Sequence, residues 1–314
     1  NAMAGLSWQH VDQFSNTAST EGFTDTYFQF YNLGAGSSPQ APSSSGVAYG
    51  LNSYFGRVNY GLMNKYLVTF TGRMDGSSKF GDNNKYAFFP SAALAWRVVE
   101  EDFMRNVPAI SNLKIRASFG ATGNSEIPAY RALAGLGTYN VIFNGSRNIG
   151  TGLGRMPNTN LQWEKTQQFD IGVELGLFSN RLNFELDLYQ RKVRDMLLDS
   201  PLPLSSGYSS IFSNIGSMQN KGVEFAINST NIKTEDFSWS TTFNISVNKN
   251  EVLELTGGDD IYSGNGVIKV GKPVGSFFGR NHLGIWGTSE AEEAKKYNML
   301  PGDVKYKDLN NDGT

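Results

Sequence analysis

The stretch FDIGVELGLFSNRLNFELDLYQR, residues 169–191, predicts two β-strands joined by a tight turn. On both sides of FSNR (178–181) every second residue is apolar, and the residues between them are mostly polar or glycine. Alternation with a period of two is typical of a strand with one apolar face and one polar face. We therefore expect residues 169–177 and 182–190 to pair antiparallel, with the turn at Ser179 and Asn180.

The same alternation recurs along the chain, in YLVTFTGR (66–73), LKIRASFG (113–120), GVEFAIN (222–228) and WSTTFNISVN (239–248). It persists for nine residues in 169–177, longer than the 5–6 residues common in soluble sheets. Aromatic residues gather near the predicted strand ends, at Tyr60, Tyr66, Trp96, Trp163, Tyr189 and Trp239. Aromatic girdles at both membrane interfaces are typical of outer-membrane β-barrels. A soluble β-sandwich also alternates apolar and polar residues, so a surface glycan-binding or adhesin β-sandwich protein remains the alternative.

Composition excludes several functions. The 314 residues carry a net charge of -2, which gives no electrostatic basis for binding nucleic acid. Cysteine is absent, so disulfides and thiolate chemistry are excluded, and only His10 and His282 could serve a histidine site. No apolar run approaches the roughly 18 residues of a membrane helix. Barrel strands leave the average hydropathy low, so a membrane location stays open.

The predicted connections alternate in length. FSNR (178–181) and KTEDF (233–237) are short, whereas the segments 123–161 and 199–220 are long and rich in Gly, Asn or Ser. Outer-membrane barrels have short periplasmic turns and long extracellular loops. This parity places 97–112, which has helical character, on the periplasmic side, and the loop 75–85 on the extracellular side.

Several strings resemble, in order, the SusC/RagA family of TonB-dependent outer-membrane transporters. They lie at 53–104, 110–124, 160–198, 214–225 (NIGSMQNKGVEF) and 301–313 (PGDVKYKDLNNDG). The resemblance implies a barrel of roughly 22 strands around an N-terminal plug. It also implies import of oligosaccharides or peptides captured with a SusD-like lipoprotein, and energy from the TonB complex through an N-terminal region.

No plug, TonB box or terminal strand is recognisable in the chain. We therefore expect an all-β fold, namely an antiparallel up-and-down segment of a transmembrane β-barrel that spans 3–314, with Asn1 and Ala2 as a tag remnant. An incomplete barrel in water would have to hide its lipid-facing side chains. We expect the stripe that includes Phe169, Val173 and Phe243 to be buried, and the charged face to be more exposed.

Charged residues on the opposite face of these strands form the first candidate site. They are Arg57, Arg73, Arg116, Asp170, Glu174, Glu185, Asp187, Arg191 and Glu224. One interpretation is a hydrophilic surface along which a substrate moves, and the other is cross-strand ion pairing and contact with a plug. Asp170 and Glu174 have the spacing of neighbours on one strand, so we expect ion pairs there rather than a glycosidase acid/base pair, and we predict no catalytic residues.

Aromatic residues of the predicted loops form the second candidate site. They are Tyr130, Tyr139, Phe143, Tyr208, Phe212 and Trp286. Exposed rings stack on the apolar faces of sugars, whereas packing between loops is the other interpretation.

The segment DLNNDG, residues 308–313, has the first half of an EF-hand-type calcium loop. Asp308, Asn310 and Asp312 would supply oxygen ligands at alternate positions. The alternative is a polar turn stabilised by its own Asx side chains. We predict no other cofactor.

Overall fold

The computed structural model describes residues 1–25, 27, 29–255 and 257–309. Its main feature is one nine-stranded antiparallel sheet in which successive long strands are spatial neighbours, so the predicted all-β, up-and-down arrangement is confirmed. The wall strands are β1 (Ala2–Thr17), β2 (Ser43–Leu62), β3 (Tyr66–Ser77), β4 (Tyr86–Arg97), β5 (Ile110–Asn124), β6 (Glu164–Leu177), β7 (Leu182–Arg194), β8 (Ser217–Lys233) and β9 (Ser238–Glu254).

The remaining elements are short and lie between or after these strands. The additional strands are Thr20–Glu21, Ser38–Pro39, Gly135–Phe143, Ser146–Arg155, Leu197–Pro201, Ser210–Asn214, Ile261–Ser263, Gly266–Ile268, Ser276–Phe277, His282–Ile285 and Val304–Tyr306. The 3-10 helices are Leu33–Ala35, Asp82–Asn84, Val98–Glu100, Asp102–Met104, Leu204–Ser206, Thr288–Glu290 and Lys295–Tyr297, and the one α-helix of the described residues is Ala291–Ala294. None of the described helices is long and apolar enough to cross a membrane.

The predicted hairpins are present. Strands β6 and β7 pair up to Leu177↔Leu182, with the turn at 178–181, and β8 and β9 pair up to Lys233↔Ser238. At the other end of the sheet, Ala2 already pairs with Val58 in the β1–β2 ladder. Strands β1 and β9 are the two edges of the sheet, so the barrel is not closed within the described residues. The single layer is not the alternative β-sandwich, which needs a second sheet facing the first.

The two ends of the sheet differ as the connection lengths predict. At one end the connections are 63–65, 98–109, 178–181 and 234–237, and the segment 98–109 holds two 3-10 helices. At the other end they are 18–42, 78–85, 125–163 and 195–216. We call these the short-turn end and the long-loop end.

The apolar face of the sheet, called the outward face, has the height of an outer-membrane barrel. Tyr66 and Trp96 pair near the short-turn end, and Gly76 pairs with Tyr86 ten positions along β3 (76 − 66). Ten residues rise about 33 Å along a strand, or about 25 Å at a tilt of about 40°. This is the height of the apolar band of such barrels. Tyr66 and Trp96 therefore lie at one edge of the apolar band, and Tyr86 lies at the other.

Two aromatic residues expected in the girdles lie elsewhere. Trp163 is 5% exposed and belongs to a core between loops. Tyr189 pairs with Asp170, so it lies on the polar face. The position of Tyr189 follows from parity, because it stands two residues from Asp187 and two from Arg191 and therefore shares their side of the strand.

The expected burial of the outward stripe is wrong: none of the three residues named for it is buried, although Val173 is half-buried. Phe169 is 48% exposed and Phe243 is 53% exposed. On the opposite face exposure is mixed, because the side chain of Asp187 is 21% exposed and that of Glu185 is 51% exposed. A single sheet has no second layer to cover its apolar side, and lipid is the medium that would cover it in a barrel.

The apolar core of the molecule lies at the long-loop end. It contains Phe80, Phe89, Ile127, Ala132, Leu161 and Trp163, with Ala87, Ala121, Leu197 and Phe212 packed against it. The ladder between β4 and β5 ends at Ser91↔Gly120 although both strands continue, and Phe89 and Ala121 beyond that point belong to this core. We call the core and the loops that form it the loop cap.

Candidate functional site: the inward face of the wall

The polar side of the sheet, called the inward face, carries all nine charged residues predicted to line a lumen. The ladder registers place them at alternate positions on the same side of β2, β3 and β5–β8. They are Arg57, Arg73, Arg116, Asp170, Glu174, Glu185, Asp187, Arg191 and Glu224. The pleat of each strand separates them from the outward apolar residues.

Arg116 is the centre of an ion-pair network on this face. Its Nη2 atom contacts Glu185 and lies 2.7 Å from Asp187 Oδ2, while its Nε atom lies 3.3 Å from Glu174 Oε1. Lys114 Nζ adds a second cation 3.0 Å from Glu174 Oε1. Three carboxylates on β6 and β7 thus share two cations on β5, as the ion-pair interpretation predicts for Glu174.

The absence of a side chain at Gly172 allows Arg116 on β5 to contact Asp187 on β7. Arg116, Gly172 and Asp187 form one row across β5, β6 and β7. A Cβ atom on Gly172 would lie 2.8 Å from Arg116 Nε and would overlap the Asp187 carboxylate. The guanidinium therefore passes directly over a strand that has no side chain at this point.

The same arrangement occurs in two more rows. Tyr189 crosses Gly222 and its hydroxyl donates to Asn248 Oδ1 at 3.2 Å. On the outward face, Asn52 Nδ2 donates to the Tyr86 hydroxyl at 2.8 Å across Gly76. Each of these hydrogen bonds joins strands that are not neighbours, so the polar residues connect the wall across three strands at a time.

Three of the other inward charges, Arg73, Arg57 and Asp170, have local partners. Arg73 Nε lies 2.7 Å from Asp75 Oδ1, and Arg57 Nε donates to Thr71 Oγ1 at 3.0 Å. Asp170 accepts from Ser118 Oγ at 3.1 Å and from Gln168 Nε2 at 2.7 Å. The ion pair expected for Asp170 is not formed among the described residues, because Ser118 and Tyr189 lie opposite it in the ladders.

An open recess of about 660 Å³ lies on the inward face of β5–β9. Its lining residues are Arg116, Ser118, Gln168, Asp170, Glu185, Asp187, Tyr189, Arg191, Asn220, Glu224 and Asn248. The polar lining and the open shape suit a hydrated ligand rather than an apolar one.

The predicted loop aromatics do not form one surface. Tyr139 and Phe143 lie on a hairpin, Gly135–Phe143 with Ser146–Arg155, and are 49% and 75% exposed. Tyr130 accepts a hydrogen bond from the Ala48 backbone N–H, and Phe212 packs against the loop cap below Arg131. Tyr208 is half-buried beside the 3-10 helix Leu204–Ser206. Their role in binding stays a prediction.

Trp286 departs from the exposure that a stacking platform requires. It is 4% exposed and stacks on Tyr297, with Lys305 Nζ 4.1 Å from its ring centroid. Its ring helps to form the small fold around Ala291–Ala294, so its faces are not free for a sugar. The predicted calcium ligands Asn310 and Asp312 lie outside the described residues, and the calcium site stays a prediction.

A cluster at the short-turn end has no counterpart in the sequence predictions. Glu101 accepts hydrogen bonds from Lys65 Nζ at 2.9 Å, the Tyr66 hydroxyl at 2.7 Å and Trp96 Nε1 at 3.0 Å. The hydrogen bond from Lys65, followed by those from Tyr66 and Trp96, lowers the pKa of Glu101 to about 2. Because Glu101 lies in an irregular connection, no periodicity indicates it. The cluster ties two connections to the girdle.

An outward apolar face bounded by aromatic residues, an inward charged face and long loops at one end define the wall of an outer-membrane β-barrel. A family model described as "TonB dependent receptor-like, beta-barrel" matches residues 1–313. The chain therefore belongs to this family and is part of an outer-membrane protein.

Individual relatives agree with the family. TonB-dependent receptor P3 of Formosa agariphila is 39% identical over 99% of this chain and 32% of its own length. TonB-dependent receptor SusC of Bacteroides thetaiotaomicron is 41% identical over 67% of this chain and 21% of its own length. The RagAB peptide importer in its "closed-closed" state is similar with a TM-score of 0.77 and 27% identity, over 99% of this chain and 35% of that chain. The matches thus cover between about a fifth and a third of the length of these relatives.

Proposed function

We propose that the protein to which this wall belongs imports oligosaccharides or peptides across the outer membrane. The observation that carries the proposal is the inward face, where charged and polar rows run across β5–β9 and line an open recess. A hydrated solute needs such a surface, because hydrocarbon-facing side chains offer it no hydrogen bonds. Similarity to SusC and to the RagAB peptide importer supports the same conclusion.

Two partners complete the proposal. A SusD-like lipoprotein would bind at the long-loop end, where the loops are large enough to offer a contact surface. The TonB complex would supply energy through a region outside the described wall. We predict that the solute crosses chemically unchanged, because the inward carboxylates Glu174, Glu185 and Asp187 are bound to Arg116 rather than placed as an acid/base pair.

Uptake by intact cells tests this function. Cells that carry the full-length protein should accumulate a labelled oligosaccharide or peptide, and cells that lack it should not. A strain with an inactive TonB complex is the matched control, because it keeps the barrel and loses only the energy source. Equal uptake with and without the protein, for every glycan and peptide offered, would exclude import. Co-purification of a lipoprotein with the full-length protein tests the partner separately.

A further inference from the structure

Three successive rows of the inward face cross the recess, and each has a different chemistry. The acidic row pairs Asp187 with Glu224. In the next row, Tyr189 lies over Gly222 and reaches Asn248. The third row joins Arg191 to Asn220 and Asn250. The recess therefore has an acidic side, an aromatic floor and a basic side.

The acidic side has a carboxylate that the wall does not neutralise. Arg116 binds Glu185 and Asp187 in the same recess. Glu224 stands directly opposite Asp187, is exposed, and has no ion pair or hydrogen bond among the residues that the structure describes. Asp187 is already bound to Arg116, so Glu224 is the carboxylate of this row that lacks a cation, and a cation bound there would also offset its repulsion with Asp187.

The basic side has a guanidinium with free donors. Arg191 is exposed and donates from Nε to Gln168 Oε1 at 2.7 Å. Its two terminal nitrogens have no partner within the described part of the chain. A guanidinium presents a fork of donors that fits a carboxylate. Arg191 can therefore receive an anion while it remains bound to Gln168.

Glu224 and Arg191 do not pair with each other because Tyr189 separates them. Glu224 lies opposite Asp187, which is four positions before Arg191 on β7 (191 − 187). Four residues of a strand span about 13 Å. The ring of Tyr189, packed over Gly222 where a Cβ atom would overlap it, fills the row between them.

We propose that this recess binds a short peptide with free termini, its ammonium group on Glu224 and its carboxylate on Arg191. An extended chain rises about 3.3–3.6 Å per residue, so roughly four residues span the two charges. The middle of the peptide crosses the Tyr189 ring, with Asn220 beside it as a hydrogen-bond partner for its backbone. A neutral oligosaccharide has no pair of opposite charges to match this spacing. The inference rests on the proposed import function and selects peptides as its substrate class.

Binding of capped and uncapped tetra-alanine to the full-length transporter with its lipoprotein partner tests the proposal. The peptide with free termini should bind most tightly, and either an N-acetyl or a C-amide cap should weaken it by roughly tenfold to a hundredfold. Glu224→Gln should weaken the uncapped peptide by a similar factor and leave the affinity for the N-acetyl peptide unchanged. Arg191→Gln should do the same for the C-amide peptide. Arg57→Gln, an inward charge outside the recess, should change none of these affinities.

Several results would overturn the proposal. They are equal binding of capped and uncapped peptides, no binding of any of these peptides, and an equal loss of affinity for capped and uncapped peptides in both variants. If another part of the full-length chain occupies the recess, Glu224→Gln and Arg191→Gln should lower the thermal stability and leave the peptide affinity unchanged. This result would also overturn the proposal. A protein that imports oligosaccharides but binds no peptide would refute this inference and leave the proposed import function standing.

Discussion

The wall and the loop cap use the same apolar residue types in opposite ways. In the wall, Phe243 and Phe169 are 53% and 48% exposed. In the loop cap, Leu161 and Trp163 are 0% and 5% exposed. The cap lies in water, where apolar side chains must cover one another, whereas the outward face of the wall belongs in hydrocarbon, where they need no cover. Exposure of an apolar residue therefore reports the surrounding medium as much as the packing.

The two regions also differ in how they are held together. The wall depends on backbone ladders and on polar side chains that cross glycines. The cap depends on packing, supported by hydrogen bonds such as that from Trp163 Nε1 to the Lys85 carbonyl at 3.0 Å. A loss of side-chain volume should therefore damage the cap, and a misplaced charge should damage the wall.

The largest effect should come from Trp163→Ala. Removing a buried Trp side chain costs about 3–5 kcal/mol, and here the loops 78–85 and 125–163 should lose their common core. Hydrogen exchange of the full-length protein should show these loops opening while β6–β9 stay protected. Trp239→Ala is the matched control, since Trp239 is 54% exposed on the outward face. An equal loss of protection in both variants would erase the distinction between cap and wall.

Val173→Arg should come next. Val173 is the middle one of the five apolar outward residues of β6, and an Arg facing lipid at mid-membrane costs about 2–4 kcal/mol. Its neighbour Glu174 lies on the inward face, where Glu174→Gln removes its ion pairs with Lys114 and Arg116; these are partly open to solvent, and their loss should cost about 1 kcal/mol or less. Folding yields of the two full-length variants in lipid vesicles measure the difference. Equal yields would contradict the assignment of the faces.

Gly172→Ala should have an intermediate effect within the wall. The new methyl group would push Arg116 away from Asp187, and overpacking of this kind costs about 1–3 kcal/mol. Gly120→Ala is the control on the same face, because a Cβ atom there meets only Ser91 Cβ at an ordinary 3.5 Å. Urea unfolding of the full-length protein in lipid should separate the two variants. A Gly172→Ala protein as stable as Gly120→Ala would show that the bridge contributes nothing.

The smallest effect should be the pH dependence that Glu101 confers. Its pKa of about 2 lies below the ordinary value of 4.5, so its contribution to stability is complete above about pH 4.5. The contribution is lost as the pH falls from 4.5 through 2. The free energies of unfolding of the wild type and of Glu101→Gln should therefore differ at neutral pH and become equal near pH 2. Glu100→Gln is the control, because it removes a neighbouring charge. The difference in stability between Glu100→Gln and the wild type should not show this convergence near pH 2. A gap between wild type and Glu101→Gln that is constant with pH would rule out this origin.

The local sequence was sufficient to predict the strands and their connections. The period of two in 169–177 and 182–190 follows from the geometry of an extended chain, and FSNR between them leaves room only for a tight turn. The parity of short and long connections then assigned each loop to an end of the sheet. These features depend on residues close together along the chain, so no knowledge of distant contacts is required.

Tertiary structure decided how the side chains are used. Arg116 meets Asp187 across 71 residues of chain, and only the combined registers of β5, β6 and β7 place Gly172 between them. Trp163 became core rather than girdle because three loops converge on it, and Trp286 became buried because a short helical segment folds around it. Glu101 lies in an irregular connection whose conformation has no period. A pattern of alternate residues determines which face a side chain occupies, whereas its partner depends on contacts between segments that are far apart in the sequence.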